Sequence, residues 1–213
     1  MSESLHIKMF TLGMWQTNCY VVHVDGHDRC WIVDAGFEPG AMLTFVQDAG
    51  LMPQKLLLTH AHIDHIAGID AVRAVWPDVP IVIHPAETTF LTDPDLNLSG
   101  PFGMPITAPE ATDTYDHGDG LELAGHRFEV RHTPGHSPGG VTLYCEAAGK
   151  ALVGDTLFAQ GIGRYDFPTS DGPTLMQSIQ QQLLTLPDQT RICPGHGPPT
   201  TIADERASNP FLQ

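Results

Sequence analysis

The stretch Leu56-Leu57-Leu58-Thr59-His60-Ala61-His62-Ile63-Asp64-His65-Ile66 decides how the chain is read. Three imidazoles and one carboxylate fall between positions 60 and 65. The apolar run before them reads as a buried strand. The spacing of Ile66, Ile69, Val72 and Val75 after them reads as one helix reaching about Trp76. His60 and His62, two apart on extended backbone, point to the same side, while Asp64 and His65 open the helix and diverge from that pair. The stretch offers donors in two directions, which suits two metal ions better than one. The plain alternative, a solvated polar turn, is weakened by further donor candidates in similar settings downstream.

On the amino-terminal side, residues 4–12 and 18–25 alternate loosely and Gly26-His27-Asp28 reads as a turn. Cys30–Val33 follows as a third strand of an antiparallel meander ending in Asp34-Ala35-Gly36. Pro39 to Gly50 reads as a helix with Met42, Phe45 and Val46 on one face. Lys55–Thr59 then leads into the quoted stretch. Beyond it, Ile81–Ile83 is a short strand. Residues 92–119, with Pro94, Pro101, Pro105 and Pro109, form a long irregular segment. Such a segment is either a lid or a plain surface excursion.

Four more strands follow, Leu121–Ala124, His126–His132, Val141–Cys145 and Ala151–Val153. Asp171 caps a helix that buries Leu175, Ile179, Leu183 and Leu186, and Thr190–Cys193 and Thr201–Ser208 read as a last strand and helix. Three of these strands run into a glycine and then a donor: Gly135-His136, Gly154-Asp155 and Gly195-His196. Glycine lets the backbone turn tightly just where the donor must approach a site. Donors at several strand ends are how α/β folds build sites. His84 is either a core-edge residue or a contact behind the site. His6, His23, His27, His117, His126 and His132 read as solvated.

The 213 residues show no repeat, linker or low-complexity segment, so one domain over 1–213 is expected. The 25 acidic against 10 basic residues give a net charge of −15, which would repel phosphate backbones and anionic membrane. Nucleic acid and membrane are therefore not expected partners, and the sequence does not address subunit number. The start, Met1 to His6, lacks a basic, apolar leader. Cys19, Cys30, Cys145 and Cys193 are widely spaced in apolar runs, which fits buried free thiols in a cytoplasmic protein and not a thiolate zinc site.

The set His60-x-His62-x-Asp64-His65, followed in order by His136, Asp155 and His196, resembles the metallo-β-lactamase superfamily over most of the chain. The resemblance implies an α/β fold, a four-layer αβ/βα sandwich of two mixed β-sheets flanked by helices. It implies one ion on His60, His62 and His136, a second on Asp64, His65 and His196, and Asp155 bridging both. Asp64 and Asp155 would serve catalysis with a hydroxide shared by the ions. The donor set holds no thiolate, so two divalent ions fit, zinc first and iron or manganese also. Two such ions supply hydroxide at neutral pH. Asp34 resembles the family's buried aspartate that orients a ligand imidazole from behind. The plain alternative for Asp34 is a turn-forming Asp before Ala35-Gly36.

Within the superfamily, Thr133-Pro134-Gly135-His136-Ser137-Pro138-Gly139 and Gly154-Asp155-Thr156-Leu157-Phe158 resemble the glyoxalase II (hydroxyacylglutathione hydrolase) group. That implies a thioesterase acting on S-D-lactoylglutathione or a related small-molecule acyl thioester. Gly161-Ile162-Gly163-Arg164 resembles the run that sets a basic residue on glutathione, which makes Arg164 a substrate-binding candidate. Asn209-Pro210-Phe211 also matches. The group then continues to an arginine and a helical C-terminal domain, where this sequence has Leu212-Gln213. Gly197-Pro198 stands in place of a tyrosine-containing segment. The expectation is a glyoxalase II-like chain without that domain, with a weaker hold on glutathione. The alternative is a mononuclear iron persulfide dioxygenase, whose family shares the ligand set and a run like Gly163-Arg164-Tyr165-Asp166-Phe167. A non-catalytic metal protein would waste open coordination positions.

Overall fold

The computed structural model describes residues 4–213. The reading of Met1-Ser2-Glu3 as no leader lies outside the described residues. The chain forms two compact units. The first runs to Tyr115 and takes in Glu122–His126; the second comprises Asp116–Leu121 and Arg127–Gln213.

The first unit is built on β1 (Leu5–Leu12), β2 (Thr17–Val24), β3 (Arg29–Val33), α1 (Gly40–Asp48), β4 (Met52–Leu57), α2 (Ile63–Ile66), α3 (Ile69–Val75), β5 (Ile81–Ile83) and β6 (Asp113–Thr114). Its sheet has the order β1-β2-β3-β4-β5-β6. The meander β1-β2-β3 is antiparallel, and β3 to β6 pair in parallel because helical segments return the chain between them. β4 begins earlier than the apolar run suggests and includes Pro53, which cannot donate to a ladder. The register accordingly shifts between Cys30 and Trp31 on the neighbouring strand. Met42, Leu43 and Val46 of α1 join Ile32, Leu56, Leu58, Ile81 and Ile83 in one buried cluster.

The single helix expected after the quoted stretch is two. The break at Ala67-Gly68 has a clear cause. Ala35 N–H donates to His65 O at 2.8 Å and Gly68 N–H to Ala35 O at 2.7 Å, so the loop after β3 docks into the helix path. A Cβ on Gly68 would lie 2.3 Å from Gly36 O. Residues 92–119 are irregular and largely exposed, as expected, but they are anchored at one point. Leu98, Asn97 and Ser99 are buried, and the Asn97 side-chain amide donates to Phe90 O at 3.0 Å and Ile106 O at 3.1 Å. The segment is also tied to the donor stretch, because Ile63 N–H donates to Asn97 O at 2.9 Å.

The second sheet has the order β14-β13-β10-β9-β8-β7, from β7 (Gly120–Leu123), β8 (His126–His132), β9 (Val141–Cys145), β10 (Lys150–Gly154), β13 (Arg191–Pro194) and β14 (Thr200–Thr201). β10 and β13 are parallel; β8/β9, β9/β10 and β13/β14 are antiparallel. A small hairpin, β11 (Leu157–Phe158) with β12 (Gly161–Ile162), follows β10. α4 (Gly172–Ser178) continues as a π turn over Ile179–Leu183, and α5 (Ile202–Ser208) closes the fold. Asp171 caps α4 as expected, its Oδ1 accepting from Thr174 N–H at 2.8 Å. Leu175, Ile179, Leu183 and Leu186 pack with Ala151, Val153 and Ile192 in this unit's core. Two mixed sheets flanked by helices make this an α/β chain. Among the described residues no helix is long and apolar enough to cross a membrane.

Candidate metal centre

The first donor set lies just past the end of β4. His62 keeps extended backbone (φ −69°, ψ 151°) and Ile63 opens α2, so Asp64 and His65 fall in a helical turn. All four donor side chains are buried. The donor atoms of His60 and His62, of His60 and His65, and of Asp64 and His65 each lie within 4.8 Å of one another. The His60 ring centroid is 4.8 Å from that of His62 and 4.0 Å from that of His65. Asp64 Oδ2 accepts from the Thr17 hydroxyl at 2.7 Å, which fixes the carboxylate from β2.

Two buried carboxylates brace this strap. Asp34 accepts the Thr59 N–H on Oδ1 at 2.7 Å, and Glu87 accepts the Ala61 N–H on Oε2 at 2.6 Å. Alternate peptide groups are thus held from behind while the alternate side chains, His60 and His62, serve as donors. Asp34 Oδ2 lies 2.8 Å from His65 Nδ1. The carboxylate only accepts, so Nδ1 carries the proton and Nε2 is left with its lone pair, the form that binds a cation. Asp34 achieves this at φ +60°, a left-handed conformation that Asp tolerates better than most side chains. Asp34 thus ends its strand in a left-handed turn and also contacts the His65 imidazole.

The second donor set occupies the second unit. His136 Nε2 is 3.6 Å and His196 Nε2 3.4 Å from the same oxygen, Asp155 Oδ2. His136 Nδ1 lies 2.8 Å from Arg164 O, so a carbonyl again leaves Nε2 as the lone-pair nitrogen. The loops are fastened to one another and to α4. Gly195 N–H donates to Gly154 O at 2.8 Å, Asp171 N–H to Gly135 O at 2.7 Å, and the Ser178 hydroxyl to Pro134 O at 2.7 Å. Both sets consist of imidazole nitrogen and carboxylate oxygen on rigid backing. That chemistry fits borderline to hard divalent ions.

The structure thus brings His60, His62, Asp64 and His65 together in one unit and His136, Asp155 and His196 together in the other, with Asp34 behind the first set. Arg164 serves His136 through its carbonyl. Its exposed guanidinium forms a two-point pair with Asp166, Nε to Oδ1 at 2.9 Å and Nη2 to Oδ2 at 2.8 Å, and lies over the Phe167 ring. This hydrogen-bonded pair holds the Asp166 carboxyl below its ordinary range and raises the guanidinium further. A cleft of about 400 Å³ beside it is lined by Ile162, Tyr165 and Phe211. Sequence reasoning missed Thr17, Thr59 and Glu87; a buried glutamate after Pro85 carries no local signal. His84 accepts from Ala86 N–H at 3.2 Å and so opens the 3₁₀ turn Pro85–Leu91. His6 and His23 are not simply solvated: their rings stack at 5.0 Å and His6 pairs with Asp25. All four cysteines are buried free thiols.

The profile described as "Metallo-beta-lactamase superfamily" matches residues 12–196. A probable metallo-hydrolase, YqgX of Bacillus subtilis, is 42% identical over 96% of this chain and 96% of its own. The hydroxyacylglutathione hydrolase GloC of Haemophilus influenzae is 34% identical over 98% of each chain. Among solved structures, the BLEG-1 B3 metallo-beta-lactamase superposes with a TM-score of 0.93 at 40% identity, covering 98% of this chain and 100% of the other. TTHA1623 in a di-iron-bound form gives 0.85 at 37% identity, covering 96% and 100%. The chain belongs to the metallo-beta-lactamase superfamily.

Proposed function

We propose that the chain is a metal-dependent hydrolase whose two donor sets serve one binuclear centre. His60, His62 and His136 take one ion, Asp64, His65 and His196 the other, and Asp155 is shared. The observation that carries this reading is the preparation of the donors. His65 and His136 are each held by an acceptor at Nδ1 so that Nε2 faces the site side. Two divalent ions, zinc first and iron or manganese as other candidates, would supply hydroxide at neutral pH and polarise a carbonyl. The similarity to the TTHA1623 di-iron form supports iron as a real competitor.

The substrate we propose is a small acyl thioester, S-D-lactoylglutathione or a relative of it, met in the cytoplasm. The 34% identity to GloC over nearly the whole of both chains supports it. In this reading Asp155 and Asp64 orient the attacking water, and Thr17 keeps Asp64 from turning away. Arg164, beside its cleft, meets the anionic end of the substrate. The net charge of −15 disfavours nucleic acid and anionic membrane as partners. The likeness to the B3 metallo-beta-lactamase favours β-lactam hydrolysis as a second reading of the same centre. A persulfide dioxygenase would instead need a single iron per chain.

The test is a substrate panel on the fully metallated protein: lactoylglutathione, a cephalosporin and glutathione persulfide. Thioester cleavage well above the other two reactions is expected. Cephalosporin hydrolysis alone would move the assignment to the second reading, and sulfite production alone would overturn hydrolysis altogether.

A further inference from the structure

Thr59 stands immediately before His60 and touches both Asp34 and that imidazole. Its hydroxyl donates to Asp34 Oδ2 at 2.8 Å, and its Oγ1 lies 3.2 Å from His60 Nδ1. A threonine hydroxyl has one proton to give, and a carboxylate only accepts. With that proton committed to Asp34, the hydroxyl oxygen meets His60 Nδ1 through a lone pair. His60 Nδ1 must then carry the N–H, and Nε2 is left as the metal-binding nitrogen. The same Asp34 oxygen fixes His65 directly at 2.8 Å.

We propose that Thr59 is a positioning residue that relays Asp34 to His60, so that one carboxylate selects the tautomer of two donors. The proposal rests on the binuclear reading, in which His60 and His65 bind different ions. Asp34 then prepares both ion sites at once, one by direct contact and one through a hydroxyl. The arrangement also predicts an asymmetry: removing the hydroxyl alone should spare His65.

The experiment uses the metal-free full chain and Zn²⁺ as probe. ¹⁵N NMR of the imidazoles reads the tautomers, and competition titration reads the affinity of each zinc. Wild-type His60 and His65 are both expected as the Nδ1–H form. Thr59→Val keeps the peptide N–H on Asp34 and removes the hydroxyl. It should mix the His60 tautomers, leave His65 unchanged and weaken one zinc by about tenfold or more. Thr59→Ser should restore both readouts. A wild-type His60 protonated at Nε2 overturns the relay whether or not any variant folds. So does a Thr59→Val protein with wild-type tautomers and zinc affinities within about twofold of wild type. Failure of the wild type to bind zinc would count against the binuclear reading, while the tautomer result on metal-free protein still decides the relay.

Discussion

Asp34 Oδ2 and His65 Nδ1 lie 2.8 Å apart in a region where both side chains are closed to solvent. The same carboxylate takes the Thr59 peptide and hydroxyl, so three donors converge on it. Asp34→Asn tests its weight cleanly, because Asn also tolerates the left-handed backbone at φ +60°. The amide cannot accept all three donors as an anion does. Zinc affinity is expected to fall about 10- to 100-fold while the fold is kept. Affinity equal to wild type in the folded variant would show that the carboxylate orients nothing.

Asp155 stands 3.6 Å from His136 Nε2 and 3.4 Å from His196 Nε2 through one oxygen. If it is shared between the ions, Asp155→Ala should lose both of them, not one. Elemental analysis of the purified variant checks this. A folded variant that keeps its full metal content would rule out the shared carboxylate.

Gly163 lets the turn after β12 press on the second donor set. A Cβ there would lie 1.9 Å from Asp155 O and 3.0 Å from His136 Cβ. Backbone carbonyl cannot yield as a flexible side chain can. Gly163→Ala should cost about 1–3 kcal/mol of stability, the range for forced overpacking, and should lower metal retention with it. Denaturant unfolding beside a metal assay reads both, and an unchanged midpoint with full metal would contradict the close packing.

Much of this was legible in the sequence because the donors follow local rules. Each sits where a strand runs out, next to glycine or at a helix start, and those signals span only a few residues. Asp171 as a helix cap and the buried face of Leu175, Ile179 and Leu183 were readable for the same reason. What escaped notice depends on pairings far apart in the chain. Glu87 reaches Ala61 across 26 positions and Thr17 reaches Asp64 across 47, and no spacing rule announces either. The break at Gly68 and the packing of residues 92–119 escaped likewise. Both arise when a distant backbone, Ala35 in one case and Ile63 in the other, supplies the hydrogen-bond partner.

The four cysteines should be chemically silent in the native protein. Burial pushes the Cys30 thiol up to about 12 and Cys193 to about 11, and raises Cys19 and Cys145 as well. Only the thiolate reacts with iodoacetamide, and near pH 8 these thiols stay protonated and covered. Mass spectrometry should find native protein unlabelled and denatured protein labelled at all four. Rapid labelling of Cys19 in folded protein would contradict its enclosure beside Gly36, whose N–H donates to the sulfur at 3.1 Å.

If the two donor sets act as one binuclear centre, as proposed, the number of ions held per chain is the most direct measurement. Metal-free protein titrated with zinc and examined by native mass spectrometry should take up about two ions, as expected of a two-metal site. His62→Ala and His196→Ala should each weaken a different one of the two. Saturation at a single ion, or two ions that both ignore His62→Ala and His196→Ala, would contradict a shared binuclear centre.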